Sequence, residues 1–479
     1  MFFGLLHFAF SSQSFNKILP NNSPFIKDEG LEYYYNKSFS SRFLTNNAIW
    51  LICCTFNLLK SESNGGAISI NLRSRLNVKN FIDQCSFIGC HSQYGGAIYI
   101  NIENNFITEI QNSIYKHNYA DTSSGGAIYI ISKIRCNFTF KNCSFNNNSA
   151  HEKGGSIYYT KINFQFENCI FNSNKLSGSS RSFGGAIHSQ NSEGLLMNCT
   201  FTSNMINISD HDSFGGAISF SDSIGSVKKC KFIGNLVCSH IKYSFYESYF
   251  AYGGAISICS LSNTQVSFIK SLIECSFENN IVSSSKNSYG GALYLSNSYD
   301  TQNCTFYNST FINNTVYSKS HISCGGAIDI SSSFESANNT FIKLVFINNT
   351  TYSESCSSYG GAISYIYSLL SNSYIQTLFN DCIFTNNNAY SNEGGAIKIS
   401  GMICLFKDCS FTNNTSCNGG AICSYNCKLK FTMCKFSNNT GFGCSIEKGG
   451  AIFSSGSIIE IKKSIFDNNK LLYDEQKIV

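Results

Sequence analysis

Proline and charge are what this chain has least of. It holds 2 prolines and 1 tryptophan in 479 residues, and Asp, Glu, Lys and Arg make up only 13%. That is about half the charged fraction usual in globular domains. The net charge of +5 comes without a long run of one sign. This removes the clustered basic face that nucleic-acid binding leaves in a sequence. No uninterrupted apolar stretch reaches the length of about 18 residues that a membrane-spanning helix needs. Helix-favouring Ala, Glu, Lys and Arg are scarce, whereas β-branched and aromatic residues abound, so strands are favoured over helices.

What is present supports a large folded body. The apolar fraction is 43%, with 41 Phe, 27 Tyr and 37 Gly, enough to build a core and to exclude global disorder. The 23 cysteines are too sparse for a small disulfide scaffold and numerous for a cytosolic enzyme. Sixteen Asn-x-Ser/Thr triplets occur, among them Asn137, Asn198, Asn303 and Asn438. They are glycan acceptors if the chain is secreted from a eukaryote, or chance products of an Asn/Ser/Thr-rich composition. Met1 to Phe10 is apolar like the centre of a secretion signal, followed by small residues, but lacks the positively charged start.

A repeat then dominates the sequence. Gly-Gly pairs begin at Gly65, Gly95, Gly125, Gly154, Gly184, Gly215, Gly253, Gly290, Gly325, Gly360, Gly394, Gly419 and Gly449. The thirteen copies are 25 to 38 residues apart, and twelve read Gly-Gly-Ala. The residue after the Ala (Ser156 in one copy) is Ile twelve times and Leu293 once. A second motif, Phe-x-x-Asn, alternates with it, usually with Cys two residues before the Phe. It pairs Phe145 with Asn148, Phe171 with Asn174, Phe201 with Asn204 and Phe411 with Asn414. Tyr115 with Asn118 is a variant, and the first two units, CTFNLL and CSFIGC, keep Cys and Phe but lose the Asn.

Parity gives the local structure. After Gly-Gly-Ala, the first and third positions are mostly apolar and the second is mixed: Ser69, Tyr99, Tyr129, Tyr158, His188 and onward. Period two with one uniform face is a strand with one side buried. A unit of this size cannot bury its apolar face alone, so stacked units must share a core. The predicted architecture is all-β: a right-handed, single-stranded parallel β-helix of about 13 coils of about 30 residues, roughly 60 Å long at about 4.8 Å per coil. The predicted organisation is a signal-like segment 1–14, an N-terminal cap 15–49, the repeat domain 50–470 and a tail 471–479. In the stack, Ile and Phe form core columns and Asn forms amide ladders. Gly-Gly turns the chain at each corner.

Alternating GGA[I/L] and FxxN repeats resemble the passenger domains of the chlamydial polymorphic outer membrane proteins. They are also similar to repeats in large surface-protein families of some parasitic protists. The resemblance runs from about Cys54 to Asn469. It implies a right-handed β-helix at a cell surface, engaged in adhesion and antigenic variation, with a host or neighbouring cell-surface protein or glycan as partner. The bacterial family ends in an autotransporter barrel and the protist relatives often end in a membrane helix. LLYDEQKIV, residues 471–479, reads as neither, which leaves autotransport and anchoring open.

Chemistry is harder to find. The β-helix also hosts polysaccharide lyases and hydrolases, whose sites gather carboxylates on neighbouring coils. Here the one tight acidic group is Asp210-His211-Asp212, read as a solvated loop. The glycines match neither G-x-G-x-x-G nor a phosphate loop, and no Cys-x-x-Cys suggests zinc. No cofactor, metal or catalytic residue is expected. Cys54, Cys85, Cys143, Cys169, Cys199, Cys230, Cys275, Cys382, Cys409 and Cys434 share one inward slot and read as buried thiols. Cys417, Cys423, Cys427 and Cys444 read as candidates for loop disulfides. Tyr99, Tyr129 and Tyr158 form a predicted outward column, either a strand-stabilising ladder or a binding row. The longer stretches Cys230–Gly253 and Cys275–Gly290 read as variable loops. The leading functional expectation is a non-catalytic surface or secreted adhesin; a polysaccharide-acting enzyme and a truncated fragment are the alternatives.

Overall fold

The computed structural model describes residues 31–72, 79–178, 180–209, 211–239, 249–260, 267–297, 304–332, 338–367, 376–442 and 449–472. The signal-like segment, Asp210, Asn303, Cys444 and residues 473–479 lie outside them.

The coil that opens at Gly95 shows the plan. Ile98–Ile102 and Ile107–Gln111 lie in one sheet, Ile114–Lys116 in a second and Tyr119–Ala120 in a third. Each strand pairs in parallel with its counterpart one coil away: Ile98 with Ile128, Ile110 with Phe140, Tyr115 with Phe145. The described residues repeat this throughout, so the chain is a parallel β-helix with three sheet faces. Leu31–Tyr35 already pairs in register with Ala48–Ile52, and Phe39 stacks on Phe56 at 4.4 Å.

Left-handed residues make the corners between sheets. One precedes the Cys slot, as at Asn142, Asn168 and Asn198, with φ of 51–54°. Another precedes the Phe-x-x-Asn amide, as at Asn147, Asn279 and Asn313, with φ of 52–55°. Asn tolerates this region better than most L-residues, which explains part of the Asn enrichment. The third corner is the Gly-Gly pair. The first glycine has φ of 58–73° in twelve of the thirteen copies. The second glycine answers a different need: a Cβ on Gly96 would lie 2.2 Å from the Gly126 carbonyl oxygen and 2.6 Å from the Tyr119 nitrogen. Neighbouring backbone occupies that space. The alanine that follows is fully buried, and the Ala127 carbonyl accepts from both Ala97 N and Ile98 N at 2.9 Å.

Two ladders fill the interior. Fifteen rings, from Phe39 to Phe466 with Tyr115 among them, stack with centroids 4.4–4.9 Å apart and planes within 9°. Ile68, Ile98, Ile128 and their successors form the second, buried from the first coil to Ile422. Burying a side chain of this kind stabilises by roughly 1.5–3 kcal/mol, and every coil repeats the gain.

Candidate functional site

The repeat motifs are occupied by structure. Phe145, Phe171, Phe201 and Phe411 belong to the ring column. Asn148, Asn174, Asn204 and Asn414 belong to a fully buried amide row. Each amide donates to the next Asn and to the carbonyl of a ring-column residue, Tyr115 O for Asn148 and a Phe carbonyl for the others, as Asn204 Nδ2 does to Asn235 Oδ1 and Phe171 O at 3.0 Å. In the coil that reads CSFIGC, Cys90 takes the Asn place, and its backbone N–H donates to Asn118 Oδ1 at 3.0 Å.

All ten cysteines of the inward slot are buried, free thiols. Burial pushes Cys275 up to about 12. Where the slot lacks Cys, Ser113, Ser309 and Ser464 fill three places and accept the backbone N–H of Cys85, Cys275 and Cys434 at 3.0–3.1 Å, and buried Leu344 fills another. Of the off-ladder set, Cys417 is disulfide-bonded; Cys423 and Cys427 are buried and free.

The tyrosine column is stacked and partly covered. Tyr99, Tyr129 and Tyr158 stack on one another at 5.4 and 4.8 Å, and the column continues to His188 at 5.6 Å. Tyr99 and Tyr129 are half-buried and Tyr158 is 8% exposed, so this is not an open row. The Gly-Gly corner folds the residue before it across the column: Tyr94 lies edge-on to Tyr129 at 5.3 Å, and Phe183 lies 5.1 Å from His188. His188 is buried, and desolvation holds it well below its ordinary value. Further along, the same register line holds Ser219, Ser257, Tyr294, Asp329, Ser364, Lys398 and Cys423, all buried.

The acidic triplet also resolves into structure where it is described. Asp212 pairs with Arg181 at 3.1 Å and accepts the Phe250 N–H at 2.9 Å. Among the described residues, no group of three or more His, Cys, Asp or Glu is placed to hold a metal ion. No described helix is long and apolar enough to cross a membrane. Asn137, Asn198 and Asn438 are exposed; each carries or accepts an outer amide hydrogen bond, as Asn198 Nδ2 does to Asn168 Oδ1 at 2.7 Å. The stretch between Cys275 and Gly290 is mainly strand, Ile281–Ser284 and Ser288–Tyr289, rather than a loop. Its extra length widens the third sheet. In Cys230–Gly253, the described strands Leu236–Ser239 and Ala251–Tyr252 do the same.

One exposed aromatic row was not anticipated. Tyr317, Tyr352 and Tyr390 occupy one outward position of the third sheet on successive coils. Tyr352 is 39% exposed and Tyr390 59%. Tyr317 and Tyr352 stack at 5.8 Å, and Tyr390 lies edge-on at 5.9 Å. The Tyr317 hydroxyl donates to Glu354, which pushes the phenol up to about 12. The signal was in the sequence: NNTVYS, NNTTYS and NNNAYS at 313–318, 348–353 and 386–391.

A rod held by internal ladders, with side chains of recognition type on its flank, defines a β-helical repeat scaffold. Residues 142–160 and 408–425 match the Chlamydia polymorphic membrane protein repeat. Each matched segment runs from the corner before a Cys-x-Phe motif through a Gly-Gly corner into the strand beyond. The chain carries repeats of this family. No curated protein matches the sequence.

Proposed function

We propose that this chain is a non-catalytic, adhesin-like recognition rod, exposed at a cell surface or secreted, that binds a protein or glycan of a host or neighbouring cell. The observation that carries this reading is the row on one solenoid face in which Tyr352 and Tyr390 are exposed and Tyr317 is half-buried beside them. Aromatic rings held by a sheet lose little side-chain entropy on binding. Their faces stack on the C–H face of a sugar ring or on a partner side chain, and their hydroxyls hydrogen-bond. The ring spacing of 5.8–5.9 Å lets an extended chain molecule touch consecutive tyrosines. The repeat match supports the same reading, because the family it names is a membrane-protein family.

The test is binding of the purified rod to a panel of cell-surface glycans and to intact cells. Tyr352→Ser and Tyr390→Ser together are expected to weaken binding by roughly 10- to 100-fold, at about 1 kcal/mol or more per ring, without changing the far-ultraviolet circular dichroism. Binding that is unchanged in the double variant contradicts the assignment.

A further inference from the structure

We propose that Lys398 and Cys423 form an oxidisable N–O–S cross-link between adjacent coils. The two residues are register partners in the first sheet, on the coils opened by Gly394 and Gly419. Lys398 Nζ lies 3.6 Å from Cys423 Sγ. Lys398 is 5% exposed and Cys423 fully buried.

The surroundings are built around the amine. The Glu393 carboxylate, 9% exposed, pairs with Lys398 from across the Gly-Gly corner. It also accepts the Tyr425 hydroxyl at 2.5 Å. The ammonium sits over the Tyr425 ring at 3.6 Å and 5.6 Å from the Tyr359 ring. A buried lysine needs a carboxylate and hydrogen bonds to persist, and Glu393 meets that need. The ammonium also donates a weak hydrogen bond to the thiol, which the ion pair does not need. That contact places nitrogen and sulfur where one oxygen atom can join them. Cys423 is fully buried, so large reagents do not reach the thiol and only a small oxidant can.

The oxidant is molecular oxygen. One protonated amine, one thiol and one dioxygen give the N–O–S bridge, one water and one proton. The O–O bond breaks and the N–O and O–S bonds form. Nitrogen and sulfur each lose two electrons, and dioxygen takes all four. The Glu393 carboxylate receives the proton released from the ammonium. The product ties two coils together beside the disulfide-bonded Cys417, which ends the first of them.

The test is mass spectrometry of the full chain purified in air, before and after reduction by dithiothreitol. The bridge adds one oxygen and removes two hydrogens, a gain of about 14 Da that reductant reverses. Trypsin no longer cleaves after Lys398, and the peptide holding Cys423 is recovered joined to the one holding Lys398. Lys398→Arg and Cys423→Ser each abolish the product. The serine variant keeps the fold, because Ser219, Ser257 and Ser364 already occupy this register line, fully buried. Cleavage at Lys398 with an unmodified thiol overturns the proposal. So does oxygen added to Cys423 alone, a disulfide from Cys423, or loss of water between Lys398 and Glu393.

Discussion

Asn204→Ala isolates the contribution of the buried amide row. The side chain takes part in four hydrogen bonds. Nδ2 donates to Phe171 O and Asn235 Oδ1, both at 3.0 Å. Oδ1 accepts Asn174 N at 3.1 Å and Asn174 Nδ2 at 3.0 Å. Alanine removes all four at a site with no exposed surface. The Asn174 N–H and one Asn174 amide proton lose their acceptor in the interior. At about 1–3 kcal/mol for each orphaned buried group, plus the space left by the amide, the loss is about 3–5 kcal/mol. Asn198→Ala is the contrast. It sits six residues earlier, is exposed, and gives up one outer bond to Asn168 and a left-handed preference at φ 54°, roughly 1–2 kcal/mol. Urea unfolding followed by circular dichroism gives the total. Native-state hydrogen exchange tests whether the loss is concentrated in the coils around Asn204, because solenoid stability is a sum of neighbour terms. A stability within about 0.5 kcal/mol of wild type for Asn204→Ala would refute the reasoning, since that is the range of surface substitutions.

Three further expectations can be checked the same way. The Tyr115 hydroxyl is buried in the Phe column without a hydrogen-bond partner, so Tyr115→Phe is expected to raise stability by about 1 kcal/mol, and a lower urea midpoint contradicts this. Gly96→Ala drives a methyl group into the Gly126 carbonyl and is expected to cost more than about 3 kcal/mol, read as loss of soluble folded protein; a variant of normal midpoint contradicts it. Asp329 is buried and its carboxyl is pushed up to about 6, mainly by desolvation. The folded state therefore holds this proton more tightly than the unfolded state. Its contribution is fully present below about pH 4 and is lost as pH rises through about 6. Asp329→Asn is accordingly expected to stabilise the rod at pH 7, by up to about 2–3 kcal/mol, and much less at pH 4; an equal effect at both values contradicts the assignment.

The coil architecture was legible because its signals are redundant. Thirteen Gly-Gly corners, strand parity after each, and recurrent Phe-x-x-Asn all point to one stacked core, and the ring column and amide row are where that reading puts them. The corner before the Cys slot was hidden, because Asn142, Lys229, Glu274 and Met433 all adopt φ of 51–54° there. Shared backbone geometry with unlike side chains leaves no pattern of residue type. The covering of the Tyr99 column was hidden for another reason. Parity distinguishes the two faces of a strand but not what lies beside it, and Tyr94 and Phe183 are brought over that face by the corner. The Tyr317 row was obscured by coil lengths: its members are 35 and 38 residues apart, so a fixed period passes over them.

Surface display is the claim on which the functional reading stands, and protease shaving of intact cells tests it most directly. Cells that make the tagged chain are treated with protease, and the rod is followed beside a cytosolic marker. The account predicts cleavage or release of the rod while the marker stays intact, or recovery of the rod in the medium. A rod that remains inside and is degraded only after lysis, together with the marker, contradicts it.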